Sequence, residues 1–313
     1  MKRRIILAGG SGFLGTALAK RFVAAGDEVT VFTRSPEKRS DGVKEVLWDA
    51  RSLGEWSALL DGADVVINLT GKSVDCRYND KNRRIIIASR VESTRVIGEA
   101  IGRCAKPPRV WLNASSATLY KHTLQHAADE SGETGATPEA KDAFSIEVIR
   151  QWERALDEAR SPATRKVAMR TTMVFGPDAG VFPVLRRLAR FGLGGKMGSG
   201  KQYVSWMHVE DFCRAAEWLI EHEELSGPVN FAAPNPLTNA EMMRLVRKTC
   251  GAPFGLPATE WMLEIGAFFL RTETELIIKS RRVVPGKLLA SGFGFHFPDL
   301  ENALRDLEHR KAG

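Results

Sequence analysis

The stretch Arg4–Gly15 reads RIILAGGSGFLG, a short apolar run that leads into glycines at every third position. From Leu14 onward, Leu14, Leu18 and Phe22 lie on one stripe of helical period, as in an amphipathic helix. A second apolar run, Glu28–Thr33, follows. This order predicts a strand, a tight glycine turn, a helix and a second, parallel strand.

The same alternation continues along the chain. Further short apolar runs occupy 64–69, 109–114 and 166–171, with helical-period segments between them. Strands that alternate with helices form a parallel sheet with helices on both faces. We therefore predict an α/β fold: a Rossmann-type doubly wound parallel sheet with a smaller C-terminal α/β lobe. The predicted domains are 1–176, to which 207–233 returns, and a lobe made of 177–206 and 234–313.

Composition excludes several classes of protein. The chain has 313 residues, 43% hydrophobic content and a net charge of +7, but its basic residues are mixed with acidic ones and no nucleic-acid-binding motif is present. We expect neither a nucleic-acid partner nor a membrane partner, because no apolar run reaches the length of a membrane span. No signal peptide is recognisable, so a cytoplasmic location is expected for a bacterial protein. The cysteines are too far apart for a redox pair, a zinc ribbon or a disulfide framework: Cys76, Cys104, Cys213 and Cys250.

The glycine turn has the chemistry of a phosphate site. Gly9 permits the tight turn, Gly12 lets backbone N–H groups approach a pyrophosphate, and Gly15 lets the helix pack closely on the strand. The helix N-terminus adds the positive end of a dipole. The context of strand, turn and helix therefore predicts a dinucleotide cofactor.

The residues at the end of the second predicted strand indicate which dinucleotide cofactor is bound. Arg34 stands where an NAD-binding protein usually has an acidic residue, and its guanidinium suits the 2′-phosphate of NADP(H). Thr33 and Ser35 add hydroxyl groups. Trp48 follows another short strand and is predicted to contact the adenine, and the loop at the end of 65–71 is predicted to run along the cofactor.

Several motifs in order resemble the extended short-chain dehydrogenase/reductase group, of the sugar-nucleotide epimerase/dehydratase type. They are the segments 9–15, 68–71, 115–120 and 170–177. Others resemble a poorly characterised, epimerase-like subfamily with its own terminal domain: 89–95, 192–202, 205–211, 229–234 and 284–295. The resemblance covers nearly the whole chain.

By that resemblance the glycine turn holds the pyrophosphate, Leu69 and Thr70 the middle of the cofactor, and Arg90 contacts it from a helix. The complete set of predicted cofactor-binding residues is Gly9, Gly10, Ser11, Gly12, Phe13, Leu14, Gly15, Thr33, Arg34, Ser35, Trp48, Leu69, Thr70, Gly71, Arg90 and Ser115. NADP(H) is preferred over NAD(H).

The resemblance also implies a Ser, a Tyr and a Lys that act on the substrate carbonyl. Ser116 occupies the position of the Ser, with Ser115 as the alternative. The Tyr-x-x-x-Lys pair is absent, and Phe144 and Val148 stand at its spacing on the expected helix. Tyr120 is the best remaining proton donor. The catalytic predictions are therefore Ser116 and Tyr120.

Other patterns point to competing sites. The segment Gly195–Lys201 has the spacing of a Walker loop, but Gln202 replaces the Mg²⁺-binding Ser or Thr. His122 and His126 are four residues apart without a clear third ligand, so no metal is expected. For His208 a substrate-side role stays open.

These observations predict an NADP(H)-binding oxidoreductase or epimerase-like enzyme whose small-molecule substrate is unknown. The substrate is expected in the cleft between the sheet and the lobe, lined by Lys196, Lys201, Gln202 and Trp206. The alternative is a non-catalytic NADP(H)-binding redox sensor or regulatory interaction protein. A homodimer is a further expectation from the resemblance.

Overall fold

The fold is built on strands that are buried on both faces. In the computed structural model, which describes residues 2–259, 261–264 and 275–312, Ile5 and Leu7 face one layer of helices while Ile6 and Ala8 face the other. Because side chains of a strand alternate between faces, an uninterrupted apolar run requires helices on both sides. The central sheet is covered in this way.

The main sheet has seven strands, all paired in parallel. Their order is β10-β6-β5-β4-β1-β2-β3. The eleven strands described are β1 (Arg4–Ala8), β2 (Glu28–Thr33), β3 (Lys44–Leu47), β4 (Val65–Asn68), β5 (Val110–Ser116), β6 (Arg165–Thr171), β7 (Met173–Phe175), β8 (Tyr203–Val204), β9 (Trp206–His208), β10 (Gly227–Phe231) and β11 (Leu237–Thr238). The chain order reverses between β1 and β4, and ligands of such sheets bind at the carboxyl ends beside this point.

The helices pack in two layers. On one face α1 contacts α5, and on the other α2 contacts α3. The helices described are α1 (Phe13–Ala24), α2 (Asp80–Ile101), α3 (Ala143–Asp157), α4 (Phe182–Arg190), α5 (Val209–Glu221), α6 (Asn239–Thr249), α7 (Glu275–Ile278), α8 (Gly286–Ala290) and α9 (Leu300–Ala312). None of these helices has the uninterrupted apolar length that a membrane crossing requires.

The lobe has a core of its own. Phe182 of α4, Trp206 of β9, Met243 of α6 and Leu304 of α9 belong to one buried cluster, separate from the two clusters that flank the main sheet. The predicted α/β fold with a doubly wound parallel sheet is confirmed. Strand β10 lies in the main sheet, and it falls within the range 207–233 that we expected to return to the first domain. The domain boundaries themselves stay a prediction. Residues 1, 260, 265–274 and 313 of the predicted domains lie outside the described residues.

The C-terminal part of the chain is joined to the loop that follows β5. The Ser280 hydroxyl donates to the Thr123 carbonyl at 2.5 Å. The Ala128 N–H donates to the Arg282 carbonyl at 2.7 Å, and the Val284 N–H donates back to Ala128 at 2.9 Å. The segment 279–284, called the C-terminal strap below, thus holds a loop at the carboxyl edge of the main sheet.

Candidate functional site

The glycine turn leaves the N-terminus of α1 open. Gly9 has φ of +70°, and its N–H donates to the Phe32 carbonyl at 2.9 Å, which ties β1 to β2. A Cβ on Gly15 would lie only 2.4 Å from the Gly10 Cα, so the helix and turn approach each other as closely as glycine allows. A Cβ on Gly12 would meet no atom within 4 Å. Free space at a helix N-terminus suits a phosphate.

A cavity of about 1340 Å³ extends from this turn along the carboxyl edge of the sheet. It exceeds the roughly 300–1,000 Å³ of a typical small-molecule pocket, as an extended dinucleotide would require. The predicted cofactor-binding residues that line it are Gly9, Ser11, Gly12, Thr33, Arg34, Ser35, Trp48, Leu69, Thr70 and Gly71.

The basic end of the cavity lies at the end of β2. Arg39 is held there by Asp41 at 2.5 Å and by Glu45 at 3.2 Å, so its charge is compensated. Arg34 is exposed and forms no ion pair with any residue that the structure describes. The Thr33 hydroxyl donates to the Ser11 hydroxyl at 3.5 Å, which links this end to the glycine turn. Arg34 is therefore the uncompensated cation at the position predicted for a 2′-phosphate.

Two buried polar atoms in the cavity wall lack partners. The Thr70 Oγ1 and the Trp48 Nε1 form no hydrogen bond with the described part of the chain. The Trp48 ring packs against Phe32 and Trp56, with centroid distances of 5.9 and 5.5 Å. Because buried polar groups are nearly always hydrogen-bonded, an unpartnered donor and hydroxyl in a cavity wall fit a polar ligand. The residues present therefore fit a dinucleotide.

Arg90 lies on α2 behind the loop that lines the cavity. Its guanidinium donates to the Ile86 carbonyl at 3.0 Å, lies 5.1 Å from the Trp152 ring centroid and abuts Gly71. It contacts no carboxylate in the described ranges, and burial lowers the pKa of Arg90 to about 10. A desolvated cation without a carboxylate is suited to an anionic group. The cofactor contact of Arg90 stays a prediction that this geometry favours.

The other predicted cofactor residues lie around the cavity rather than in its wall. Phe13 and Leu14, the first two residues of α1, pack against the core cluster, and a Cβ on Gly10 would lie 2.8 Å from the Leu7 Cβ. The Ser115 hydroxyl donates to Glu153 Oε1 at 2.6 Å, so it is already engaged on the α3 side of the sheet. At these positions the contact with the cofactor stays a prediction.

Tyr120 belongs to a buried hydrogen-bond network. Its hydroxyl donates to Asn230 Oδ1 at 2.8 Å and accepts from Arg170 Nη1 at 3.0 Å. Arg170 is also paired with Glu153 at 2.8 Å. Tyr120 is 2% exposed, and desolvation raises the pKa of its phenol. The geometry gives Tyr120 a structural role and does not favour its prediction as a proton donor. Ser116 is half-buried, and its hydroxyl accepts from the Thr118 N–H at 3.2 Å.

The structure corrects part of the predicted substrate cleft. Gln202 is buried and donates to the Met197 carbonyl at 2.8 Å, and Trp206 is fully buried in the lobe core. His208 is 0% exposed, and its Nδ1 accepts from the Glu210 N–H at 3.1 Å at the start of α5. These three side chains do not face a cleft, because the short strands β8 and β9 place them inside the lobe. Lys196 and Lys201 are exposed.

The histidine pair does not form a metal site. His122 accepts from the Ser280 N–H at 3.1 Å, while His126 is exposed on an irregular segment. Among the described residues, no three His, Cys, Asp or Glu side chains are arranged to hold an ion.

Sequence reasoning missed several cavity residues. They come from the loop after β2, from β3 and the segment that follows it, from the segment after β4 and from α2, where no glycine or charge pattern marks them. They are Glu37, Glu45, Leu47, Ala50, Arg51, Lys72, Ser73, Ile85 and Glu92. The only signal that points to them is position, since residues just after parallel strands meet at one edge of the sheet.

Comparisons with known proteins agree with this geometry. The model of the NAD dependent epimerase/dehydratase family matches residues 5–232, and a domain of unknown function, DUF1731, matches residues 258–307. The human epimerase family protein SDR39U1 is 30% identical over 309 residues, which cover 97% of this chain and 99% of that protein. A crystal structure of human SDR39U1 (isoform 2) with NADPH matches with a TM-score of 0.86 and 28% identity, over 98% of this chain and 99% of that one. MoeE5 in complex with UDP-glucuronic acid and NAD has a TM-score of 0.75 at 18% identity, over 98% of this chain and 99% of that one, a likeness of fold alone.

Proposed function

Because this chain belongs to the NAD-dependent epimerase/dehydratase family, we propose that it binds NADP(H) in the cavity at the carboxyl edge of its sheet and acts as an oxidoreductase or epimerase-like enzyme. The observation that carries the proposal is the cavity of about 1340 Å³ that joins the glycine turn to Arg34. The NADPH in the human SDR39U1 structure supports the same cofactor.

Different residues of the chain bind different parts of the cofactor. The backbone N–H groups at Gly12 and the start of α1 bind the pyrophosphate, as an open helix N-terminus does. Arg34 binds the 2′-phosphate with charge-assisted hydrogen bonds, and Trp48 donates from its indole to the adenosine half. Thr70 provides a hydroxyl to the middle of the cofactor. When bound, the cofactor supplies a hydride or accepts one at its nicotinamide ring.

The position of the two halves follows from the sheet order. An adenosine end bound by Arg34 and Trp48 would lie above β2 and β3, on one side of the reversal between β1 and β4. An extended dinucleotide bound in this way would bring its nicotinamide to the other side, above the ends of β4 and β5. Ser116 ends β5 and is the residue there that we assign to the substrate oxygen.

A titration with NADPH, NADP⁺, NADH and NAD⁺ tests this proposal. We expect NADPH to bind more tightly than NADH, and Arg34→Ala to weaken NADPH binding by about 1.5–3 kcal/mol, the value of a hydrogen bond to a charged group. That loss is roughly 10- to 150-fold in Kd. NADH affinity should stay the same, because NADH has no 2′-phosphate. Lys38→Ala, an exposed cation on the same loop that does not line the cavity, is the control.

Turnover is measured by NADPH fluorescence against aldehydes, ketones and sugar nucleotides. Consumption of NADPH establishes an enzyme and its substrate class. Tight binding without turnover favours the regulatory alternative, in which bound NADP(H) controls association with a partner. If none of the four nucleotides binds, the proposed function is wrong.

A further inference from the structure

A carboxylate lies in the wall of the cofactor cavity at the end that we assign to the 2′-phosphate. Glu45 belongs to β3 and lines the cavity together with Arg34 and Arg39. The Glu45 side chain is only 6% exposed. Because carboxylates are rarely that buried without a partner, the partners of Glu45 decide how much of its charge reaches the cavity.

Glu45 contacts the loop that follows β2. The Glu37 N–H donates to Glu45 Oε2 at 2.9 Å, and Arg39 Nη1 donates to Glu45 Oε1 at 3.2 Å. Arg34 begins the same loop, directly after the last residue of β2. Glu45 therefore holds the segment that carries the proposed 2′-phosphate ligand.

Arg39 is shared between two carboxylates. Its Nε and Nη2 donate to the two oxygens of Asp41 at 3.0 and 2.5 Å, whereas Glu45 receives a single longer hydrogen bond of 3.2 Å. One cation beside two anions leaves a negative charge in excess. Asp41 is 42% exposed, so water screens its charge, but Glu45 has little contact with water. Glu45 is therefore the less completely neutralised carboxylate, and it lines the cavity.

NADP(H) differs from NAD(H) at this end of the cavity by a 2′-phosphate on the adenosine ribose. A phosphate monoester carries about −1.5 to −2 charge at pH 7, so a carboxylate in the same wall repels it. NAD(H) has a ribose hydroxyl there instead, and a carboxylate accepts a hydrogen bond from such a hydroxyl. The charge of Glu45 therefore opposes NADP(H) and does not oppose NAD(H), while the charge of Arg34 favours NADP(H).

We propose that Glu45 is a specificity-determining residue whose carboxylate limits the preference for NADP(H), and that Arg39 permits NADP(H) to bind by neutralising that carboxylate. The proposal rests on the proposed binding of NADP(H) in this cavity. Arg34 attracts the 2′-phosphate, and Glu45 opposes it to the extent that Arg39 leaves its charge uncompensated. The preference between the two dinucleotides is the balance of these charges.

The variants Glu45→Gln and Arg39→Gln and the double variant test this balance in the full chain. The amide oxygen that Glu45→Gln introduces can still accept from the Glu37 N–H, so the charge is removed and the contact with the loop is kept. Glu28→Gln is the matched control. Glu28 is exposed at the other end of β2 and is not one of the residues that line the cavity.

The dissociation constants for NADPH and NADH are measured by titration. We expect Glu45→Gln to bind NADPH about three- to tenfold more tightly, the size of an interaction between partly screened charges. Arg39→Gln should weaken NADPH binding by about the same factor, because Glu45 then lacks its counter-charge. The double variant should bind NADPH at least as tightly as the wild type. Affinity for NADH should stay within about twofold in all three, and the control should match the wild type.

Adenosine 2′,5′-bisphosphate and 5′-AMP provide a second measurement, because they differ only in the 2′-phosphate. The variants should change the affinity for the bisphosphate in the same directions as for NADPH and leave that for 5′-AMP nearly unchanged. The inference is wrong if Glu45→Gln leaves the ratio of the NADH and NADPH dissociation constants as it is in the wild type. It is also wrong if the double variant binds NADPH as weakly as Arg39→Gln, since Arg39 would then be a direct ligand of the phosphate. A wild type that binds neither dinucleotide would overturn the proposed function, and this inference with it.

Discussion

Replacement of Tyr120 by Phe separates a structural from a catalytic role at that residue. The change removes a hydroxyl that donates to Asn230 at 2.8 Å and accepts from Arg170 at 3.0 Å, and it leaves the ring in place. Arg170 keeps its pair with Glu153, so the main cost is the unsatisfied Asn230 acceptor in a buried site. A buried polar group without its partner costs about 1–3 kcal/mol. We expect the free energy of unfolding to fall by about 2 kcal/mol.

Urea denaturation at equilibrium measures this loss as a lower midpoint with an unchanged slope. Tyr203→Phe is the matched control, since Tyr203 is half-buried and its hydroxyl forms no hydrogen bond with the residues that the structure describes. The control should change stability by less than about 0.5 kcal/mol. If Tyr120→Phe unfolds like the wild type but loses turnover, the structural reasoning is wrong and Tyr120 acts on the substrate.

Two further perturbations probe the turn and the lobe. Gly15→Val should abolish nucleotide binding and lower the melting temperature, because even a Cβ at this position would lie 2.4 Å from the Gly10 Cα. If the variant kept its affinity for NADPH, the close approach of helix and turn would be wrong. Burial lowers the pKa of His208 to about 4, so the folded protein keeps this ring neutral while the unfolded chain protonates near the usual value of about 6.5. Stability should therefore be complete above about pH 6.5 and decrease as pH falls toward 4, and His208→Gln should flatten that decrease in denaturation measured across the range. An equal pH dependence in the two proteins would show that His208 does not cause it.

The sequence alone was sufficient to predict those parts of the fold that a local pattern of residues determines. The strands at 4–8 and 28–33 are observed with the predicted bounds, and the glycine turn lies between them as expected. The position of Arg34 at the end of β2 follows from the same register. Each of these features depends on residues only a few positions apart, so spacing alone specifies them.

Contacts between residues that are far apart in the sequence could not be predicted from local patterns. Tyr120 looked available because its partner Asn230 is 110 residues away, and Gln202 looked exposed because β8 follows a polar loop. Lys279 and Asp142 are 137 residues apart, and no periodic pattern marks either one as buried. Such contacts arise from the packing of the lobe against the sheet, which a local pattern does not encode.

The C-terminal strap has a consequence for how the protein unfolds. Ser280 and Arg282 hold the loop after β5 from outside the main sheet, so the two regions that match separate family models share hydrogen bonds. A chain that ended before residue 275 would leave the Thr118 carbonyl without Lys279 and the Thr123 carbonyl without Ser280, and would free the loop at the carboxyl edge of the main sheet. Melting of the lobe should therefore loosen the nucleotide cavity, and ligand bound in that cavity should in turn delay loss of the lobe, so that both disappear in one cooperative transition.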